Sequence, residues 1–202
     1  MASIWLSLRS TSHFIAKTKA RTLFQTAMLL AALCIVLIHM AMFAYEGGTI
    51  NSPILDGYSW THNFLSDLGR DCVCHTYRDN APSNHLFLVG MTLAGLSIGI
   101  YMWALPSLFT RKVARNFAVA ASTFGVISGW FFIRVGWEPI DRDFRAHQWY
   151  AMTALLSFAC TVLACSVAIF TEPFPRNCSG FPLLALTSPE VEWADGSLKS
   201  EG

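Results

Sequence analysis

The sequence predicts an all-α fold, an integral membrane bundle of four transmembrane helices with a short interfacial helix in the first outer loop. Three observations predict it. Four apolar runs, residues 23–45, 86–105, 116–133 and 149–170, contain no Asp, Glu, Lys or Arg. Hydrophobic residues make up 53% of the chain against 13% charged, about half the charged share of a soluble domain. Finally, the acidic residues ahead of the tail gather in the first and third loops, which alternate spans place on one side. A helix rising about 1.5 Å per residue needs about 20 apolar residues to cross a hydrocarbon core of about 30 Å. All four runs meet that need, the third being the shortest. A soluble domain could bury one such helix, but four would leave too little amphipathic surface to meet water.

Residues 1–22 form a leader expected in the cytoplasm. Within it Ile4, Trp5, Leu6, Leu8, Phe14 and Ile15 alternate loosely with Ser, Thr, Lys and Arg, a pattern that suits a short interfacial helix as well as a frayed leader. The first apolar run is too long for the core of a signal peptide and has no clear A-x-A site. It is therefore expected to be a retained span.

The first outer loop opens with Gly47 and Gly48 and runs through Tyr58, Trp60, Phe64 and Leu65 to Gly69. Apolar Phe64, Leu65 and Leu68, following Thr61 as a candidate N-cap, predict a short helix at the membrane surface. Tyr58 and Trp60 suit that depth. The second span carries Gly95 and Gly99, and the third carries Ala121, Gly125 and Gly129, each set four residues apart. Such stripes let helix backbones approach where lipid removes the ordinary hydrophobic drive. The short loop between these spans predicts an antiparallel pair packed through the stripes.

Residues 23–170 thus form one membrane domain. Residues 171–202, with Pro173, Pro175 and several Ser and acidic residues, are expected to be a disordered cytoplasmic tail. Asn177 to Ser179 reads N-x-S, but a cytoplasmic tail receives no glycan.

Orientation follows Lys and Arg near the span ends. Arg9, Lys17, Lys19 and Arg21 lie before the first span, and Arg111, Lys112 and Arg115 between the second and third. Both segments are expected in the cytoplasm, which predicts a multi-pass protein of the cell membrane with both termini cytoplasmic. Arg134, Arg142 and Arg145 in the other loop oppose this bias. A net charge of +1 without a Lys/Arg-rich block excludes nucleic acid as a partner.

Candidate chemistry lies at the outer face. Ser66, Asp67, Asp71, Cys72, Cys74, His75 and His85 belong to one loop, and Glu138, Asp141, Asp143 and His147 to the other. Carboxylates and imidazoles converging there could ligate a divalent metal or act as acid and base on a lipid head group. The plainer reading is that they are ordinary polar loop residues, and acids before the fourth span simply suit a helix N-terminus. No H-E-x-x-H, G-x-S-x-G or C-x-x-C pattern is present, so no metal or cofactor is assigned. Cys72 and Cys74 beside His75 are too few ligands to close a structural zinc site. His39, within the first span, is expected to bond a neighbouring helix or interfacial water.

The string YSWTHNFLSDLGR, residues 58–70, resembles the Tyr, Asn and Ser-Asp/Glu-Leu-Gly block of an uncharacterised family of bacterial multi-pass membrane proteins, a domain of unknown function. Pro139, Asp141 and His147 resemble that family's pattern before a later span. The match covers about residues 23–170. The resemblance implies a short or truncated member, because members continue into further spans. The family is similar in outline to the autophagy-modulator and FGF-receptor-activating membrane proteins, and is sometimes compared with ceramidase-like membrane hydrolases. The paired H-x-x-x-H histidines of those hydrolases are absent here, and the family carries no settled catalytic residues. Ser66, Asp67, Asp141 and His147 are the positions where the resemblance and the polar pattern coincide, and they form the candidate outer-face site.

Three functions follow as expectations. The first is a multi-pass membrane protein that packs with membrane lipids or partner proteins, as a homo- or hetero-oligomer formed through the glycine-lined faces. The second is a metal-dependent hydrolase acting on a lipid at the outer interface. The third is a transporter or channel component, which four spans without charges or an internal repeat support least.

Overall fold

The computed structural model describes residues 2–49, 52–73 and 79–172, with backbone alone for 2–18. The tail beyond residue 172, Cys74, His75 and the N-x-S triplet lie outside the described residues. Four helices make up the fold: α1 (Ala2–Ala44), α2 (Ala81–Ala104), α3 (Lys112–Trp137) and α4 (Phe144–Thr171). Their segments Lys19–Ala44, Ala81–Leu108, Lys112–Trp137 and Phe144–Thr171 are each long and apolar enough to cross a membrane. Among the described residues there is no strand, only the isolated bridges Gly47 to Asp56 and Cys72 to Asp79. The chain thus has the all-α, four-span architecture of a multi-pass membrane protein.

Each helix extends past its apolar run because the ends can be capped in the wetter interface. The turn of α2 that precedes Leu86 admits Pro at its start, where the missing N–H would be unpaired anyway. The start of α4 is capped by Asp143, whose carboxylate accepts the Ala146 N–H at 3.0 Å. At the first end, α1 is one continuous backbone helix from the leader into the first span. A short 3-10 turn, Leu105–Leu108, ends α2 at Pro106 and leads into α3.

The extensive helix contacts join neighbours in the chain, α1 to α2, α2 to α3 and α3 to α4. Each seam has its own device. Ser97 of α2 donates to the Ala27 carbonyl of α1 at 2.7 Å, and Ser128 of α3 donates to the Ala154 carbonyl of α4 at 2.9 Å. Bonds of this kind contribute only about 0.6 kcal/mol on average in a membrane, so close packing must supply the rest. Between α2 and α3 that packing is backbone against backbone. A Cβ on Gly95 would lie 2.2 Å from the Gly129 carbonyl oxygen, and one on Gly129 would lie 2.5 Å from that of Gly95. The antiparallel pair expected from the glycine stripes is therefore present, in a register centred on Gly95 and Gly129. Along α3 the small residues Ala114, Ala118, Ala121, Gly125, Ser128 and Gly129 form a buried stripe at helical spacing.

At the end bearing the long loop, Ile38, Ala41 and Tyr45 of the first helix region pack with Leu68, Phe87, Met91 and Val135. Leu68 comes from the loop and is fully buried. The long loop is therefore part of the hydrophobic core.

Candidate functional site

The loop begins by turning back on α1. Gly47 and Gly48 adopt φ of +104° and +82°, and a Cβ on Gly47 would lie 2.2 Å from the Leu55 carbonyl oxygen. Only glycine fits that combination of left-handed backbone and close approach. The Gly48 N–H donates to Leu55 at 2.7 Å, and the Tyr45 hydroxyl donates to the Gly48 carbonyl at 2.8 Å.

A tight turn follows in which the Asn63 N–H donates to the Ser59 carbonyl at 2.9 Å. In return the Ser59 N–H donates to the Asn63 side-chain Oδ1 at 2.9 Å. Its Nδ2 donates to the Gly48 carbonyl at 3.2 Å and to Asp67 Oδ2 at 3.3 Å. The expected short helix is the 3-10 helix Leu65–Gly69. It begins at Leu65, and Thr61 does not cap it: the Thr61 hydroxyl lies 2.8 Å from His62 Nδ1 instead. The position before the helix is Phe64, whose N–H is taken by Asp67 Oδ2 at 2.9 Å. Far from lying wholly on the surface, the helix buries Asp67, Leu68 and Gly69, while Phe64 and Leu65 remain exposed.

Asp67 is 2% exposed and is fully engaged. Besides Asn63 and Phe64, Arg70 Nε donates to its Oδ1 at 2.9 Å. Its charge also reaches Tyr58, whose hydroxyl is pushed above the ordinary tyrosine range, first by burial and then by the Asp67 charge.

The carbonyls leaving the 3-10 helix are held by the first turn of α2. Asn80 Nδ2 donates to Leu68 and Arg70 at 3.2 and 3.0 Å. Ser83 donates to Leu68 at 3.1 Å, and Asn84 donates to Gly69 at 2.9 Å and to Asp71 Oδ1 at 3.2 Å. Residues three and four apart share a helix face, so Asn80, Ser83 and Asn84 act as one clasp. Asn80 is fully buried, and among the described residues its Oδ1 has no hydrogen-bond partner. Gly69 lies flat on Phe87, with its missing Cβ position 2.5 Å from that ring.

The loop between α3 and α4 closes over the long loop. Asp141 accepts the successive N–H groups of Asp71 and Cys72 at 3.2 and 3.0 Å, and Arg142 pairs with Asp71 at 2.9 Å. Both loops therefore lie at one end of the bundle, as alternation of the spans requires. His147, in the first turn of α4 and 5% exposed, has Nδ1 at 2.6 Å from the Glu138 carbonyl. A carbonyl only accepts, so Nδ1 carries the proton. Arg134 lies 3.7 Å from the Glu138 carboxylate and 4.9 Å from the centre of the Tyr150 ring.

Each of the four candidate residues has its own place in this arrangement. Ser66 sits half-buried on the 3-10 helix, Asp67 holds its own loop, Asp141 joins the two loops, and His147 holds the end of α3. Among the described residues, hydrogen bonding links neither Asp67 nor His147 to the other candidates. No group of three His, Cys, Asp or Glu among the described residues could hold a metal ion. His85 and His39 each turn Nδ1 to a carbonyl four residues back on their own helix, at 2.7 Å. For His39, expected to bond a neighbouring helix or interfacial water, the Nδ1 bond stays within its own helix.

The residues that build this cap and were not singled out from sequence are Tyr45, Arg70, Asn80, Ser83 and Asn84, while Asn63 entered only as the asparagine of the 58–70 motif. A usable signal was present for three of them: neutral polar residues at i, i+3 and i+4 immediately before an apolar run. Compared with protein-family models, with curated proteins and with solved structures, the chain matches none of them.

Proposed function

We propose that this multi-pass membrane protein works without a reaction of its own, by packing its helix faces against membrane lipids and partner proteins. In this reading it resides in the cell membrane with both termini in the cytoplasm, and the two outer loops form a rigid cap. The observation that carries the reading is the employment of Asp67 and Asp141. Each carboxylate is spent on donors that hold the cap together, so these two acids act on the protein's own backbone and side chains. A transport path has equally little support. Among the described residues, the buried polar side chains Ser97, Ser128 and Thr161 within the spans each donate to a helix carbonyl.

Membership in the uncharacterised family stays part of the proposal, on the motif of residues 58–70 together with Pro139, Asp141 and His147. So does association through glycine-lined faces. Gly95 and Gly129 already engage each other, whereas a Cβ on Gly99 would meet nothing within 4 Å, so Gly99 is the glycine such a contact would use.

The test is metal content and stability of the chain purified in mild detergent, alongside Asp67→Ala and His147→Ala. Removing one partner of a buried ion pair costs about 3–5 kcal/mol. Asp67→Ala should therefore lose stability near the lower value, because Arg70 retains some exposure, and none of the three proteins should carry stoichiometric zinc. Stoichiometric zinc in the parent chain, lost in both variants, would replace this reading with the lipid hydrolase.

A further inference from the structure

The outer loop does more than cap the bundle: one part of it descends beside the lipid-facing side of α1. His39 is an exposed residue of α1, five residues before its end at Ala44, which places it about 7–8 Å below that end at about 1.5 Å per residue. The Trp60 ring lies against it, with centroids 6.3 Å apart. The loop has therefore folded down along the helix. Tyr58 fixes this placement from the inner side, packing edge-on to Trp60 at 5.6 Å and to Tyr45 at 6.2 Å.

What surrounds Trp60 is apolar and unpartnered. The indole is 71% exposed, Phe64 is 72% exposed and Leu65 is 45% exposed. On α1 the neighbouring positions Ile35, Val36, Met40 and Phe43 are exposed as well, Phe43 at 91%. This is the face of a membrane-crossing segment, so the surface bearing Trp60 continues one that lipid already covers. Polar groups interrupt it: Thr61 and His62, exposed between Trp60 and Phe64, bond each other and Ser59, and two further groups lie on Trp60 and His39. The Trp60 indole N–H has no partner among the described residues. The His39 ring uses Nδ1 on its own helix and leaves Nε2 for a group outside the protein.

We infer that residues 60–65 form a wedge inserted into the outer leaflet, with Trp60 and His39 contacting the glycerol-ester region of bilayer lipids. A Trp ring has an apolar body and one donor, which suits the boundary between acyl chains and headgroups. At the depth of His39 the available acceptors are ester carbonyl and phosphate oxygens, and the indole N–H donates to them. Phe64 and Leu65 add apolar area on the same descending segment. The buried half of the loop, Asp67 to Gly69, ties the wedge to the core. This inference rests on the membrane-packing reading above.

The test uses the full, unaltered chain in phosphatidylcholine and phosphatidylglycerol vesicles. One preparation carries a phospholipid with a diazirine close to the ester, a second carries the diazirine near the chain end, and cross-linked peptides are mapped by mass spectrometry. Hydroxyl-radical footprinting reports water access on the same samples. Residues 60–65 should cross-link several-fold more to the shallow probe than to the deep one, and be protected from radicals relative to Arg142. Leu155, exposed in the middle of α4, should take the deep probe. Radical labelling of residues 60–65 as strong as that of Arg142, with Leu155 still cross-linked, would overturn the wedge while leaving the membrane reading intact. Failure of Leu155 to cross-link would remove the membrane reading and the wedge together.

Discussion

At the end of the bundle away from the cap, one carboxylate joins two helices. Glu172, the first residue after α4, accepts from the Thr110 hydroxyl and from the N–H groups of Thr110 and Arg111 at 3.2 Å each. Arg111 is the N-cap residue immediately before α3, so the carboxylate occupies the positive end of that helix. The Thr110 bond, followed by the two backbone bonds and the Arg111 charge, holds the Glu172 carboxyl below its ordinary value of 4.5. A carboxyl whose pKa is lower folded than unfolded contributes stability that is present above the unfolded value and lost as pH falls through the folded one. The stability difference between the parent chain and Glu172→Gln should therefore be constant from neutral pH down to about 4.5 and vanish below it. Thermal unfolding in detergent across that range measures it, and a difference independent of pH would show that the carboxylate charge has no role. At this scale the sequence was legible in residue type and silent on partner. Asp67, Asp141 and His147 were visible as polar groups in apolar surroundings. Their partners lie up to 70 positions away, as the bond from Asp71 to Asp141 does, and only the packed chain selects them.

Between helices, the glycines separate into those that touch a backbone and those that do not. The spacing of four that marks Gly95, Gly99, Gly125 and Gly129 was readable, because any helix places such residues on one face. Register was not readable, since sliding one helix by a turn exchanges Gly95 for Gly99 without altering the pattern. The structure puts Gly95 against Gly129 and turns Gly125 to the Met102 side chain. A methyl group added against backbone cannot be absorbed by a rotamer change, so Gly95→Ala and Gly129→Ala should each cost about 1–3 kcal/mol. At Gly99 the same substitution meets open space and should be neutral or stabilising by up to about 1 kcal/mol. Denaturation in mixed micelles orders the three variants. An equal loss at Gly99 and Gly95 would remove the register given above. The short loop helix illustrates the same limit: its apolar residues were read correctly as a turn of helix, but burial of Leu68 depends on Phe87 and Tyr45, which no local pattern announces.

Across the whole molecule, the spans were the most legible feature because a bilayer leaves a helix few alternatives: every backbone group must be bonded internally. The short connections account for the pairing of α2 with α3 and of α3 with α4, whereas α1 pairs with α2 across the long loop of residues 45–80. Sidedness depends on something else, the distribution of Lys and Arg at insertion. The end formed by Arg111, Lys112 and Arg115 presents these residues exposed. At the cap, Arg70, Arg134 and Arg142 lie beside Asp67, Glu138 and Asp71. Acidic neighbours count for little during insertion, so the bias has to come from the basic residues of the N-terminal part of α1, ahead of the first apolar run, and from those between α2 and α3. If those segments stay in the cytoplasm, the cap faces outward, and Cys72, an exposed free thiol on it, becomes the reporter. Its backbone is fixed by Asp141 while its side chain is open, so labelling there does not require the cap to unfold. A membrane-impermeant maleimide should label intact cells through this end, and the signal should disappear in a Cys72→Ser, Cys74→Ser variant. Labelling that appears only after permeabilisation would invert the protein in its membrane, move the cap and its wedge to the inner leaflet, and leave the packing of the four helices unchanged.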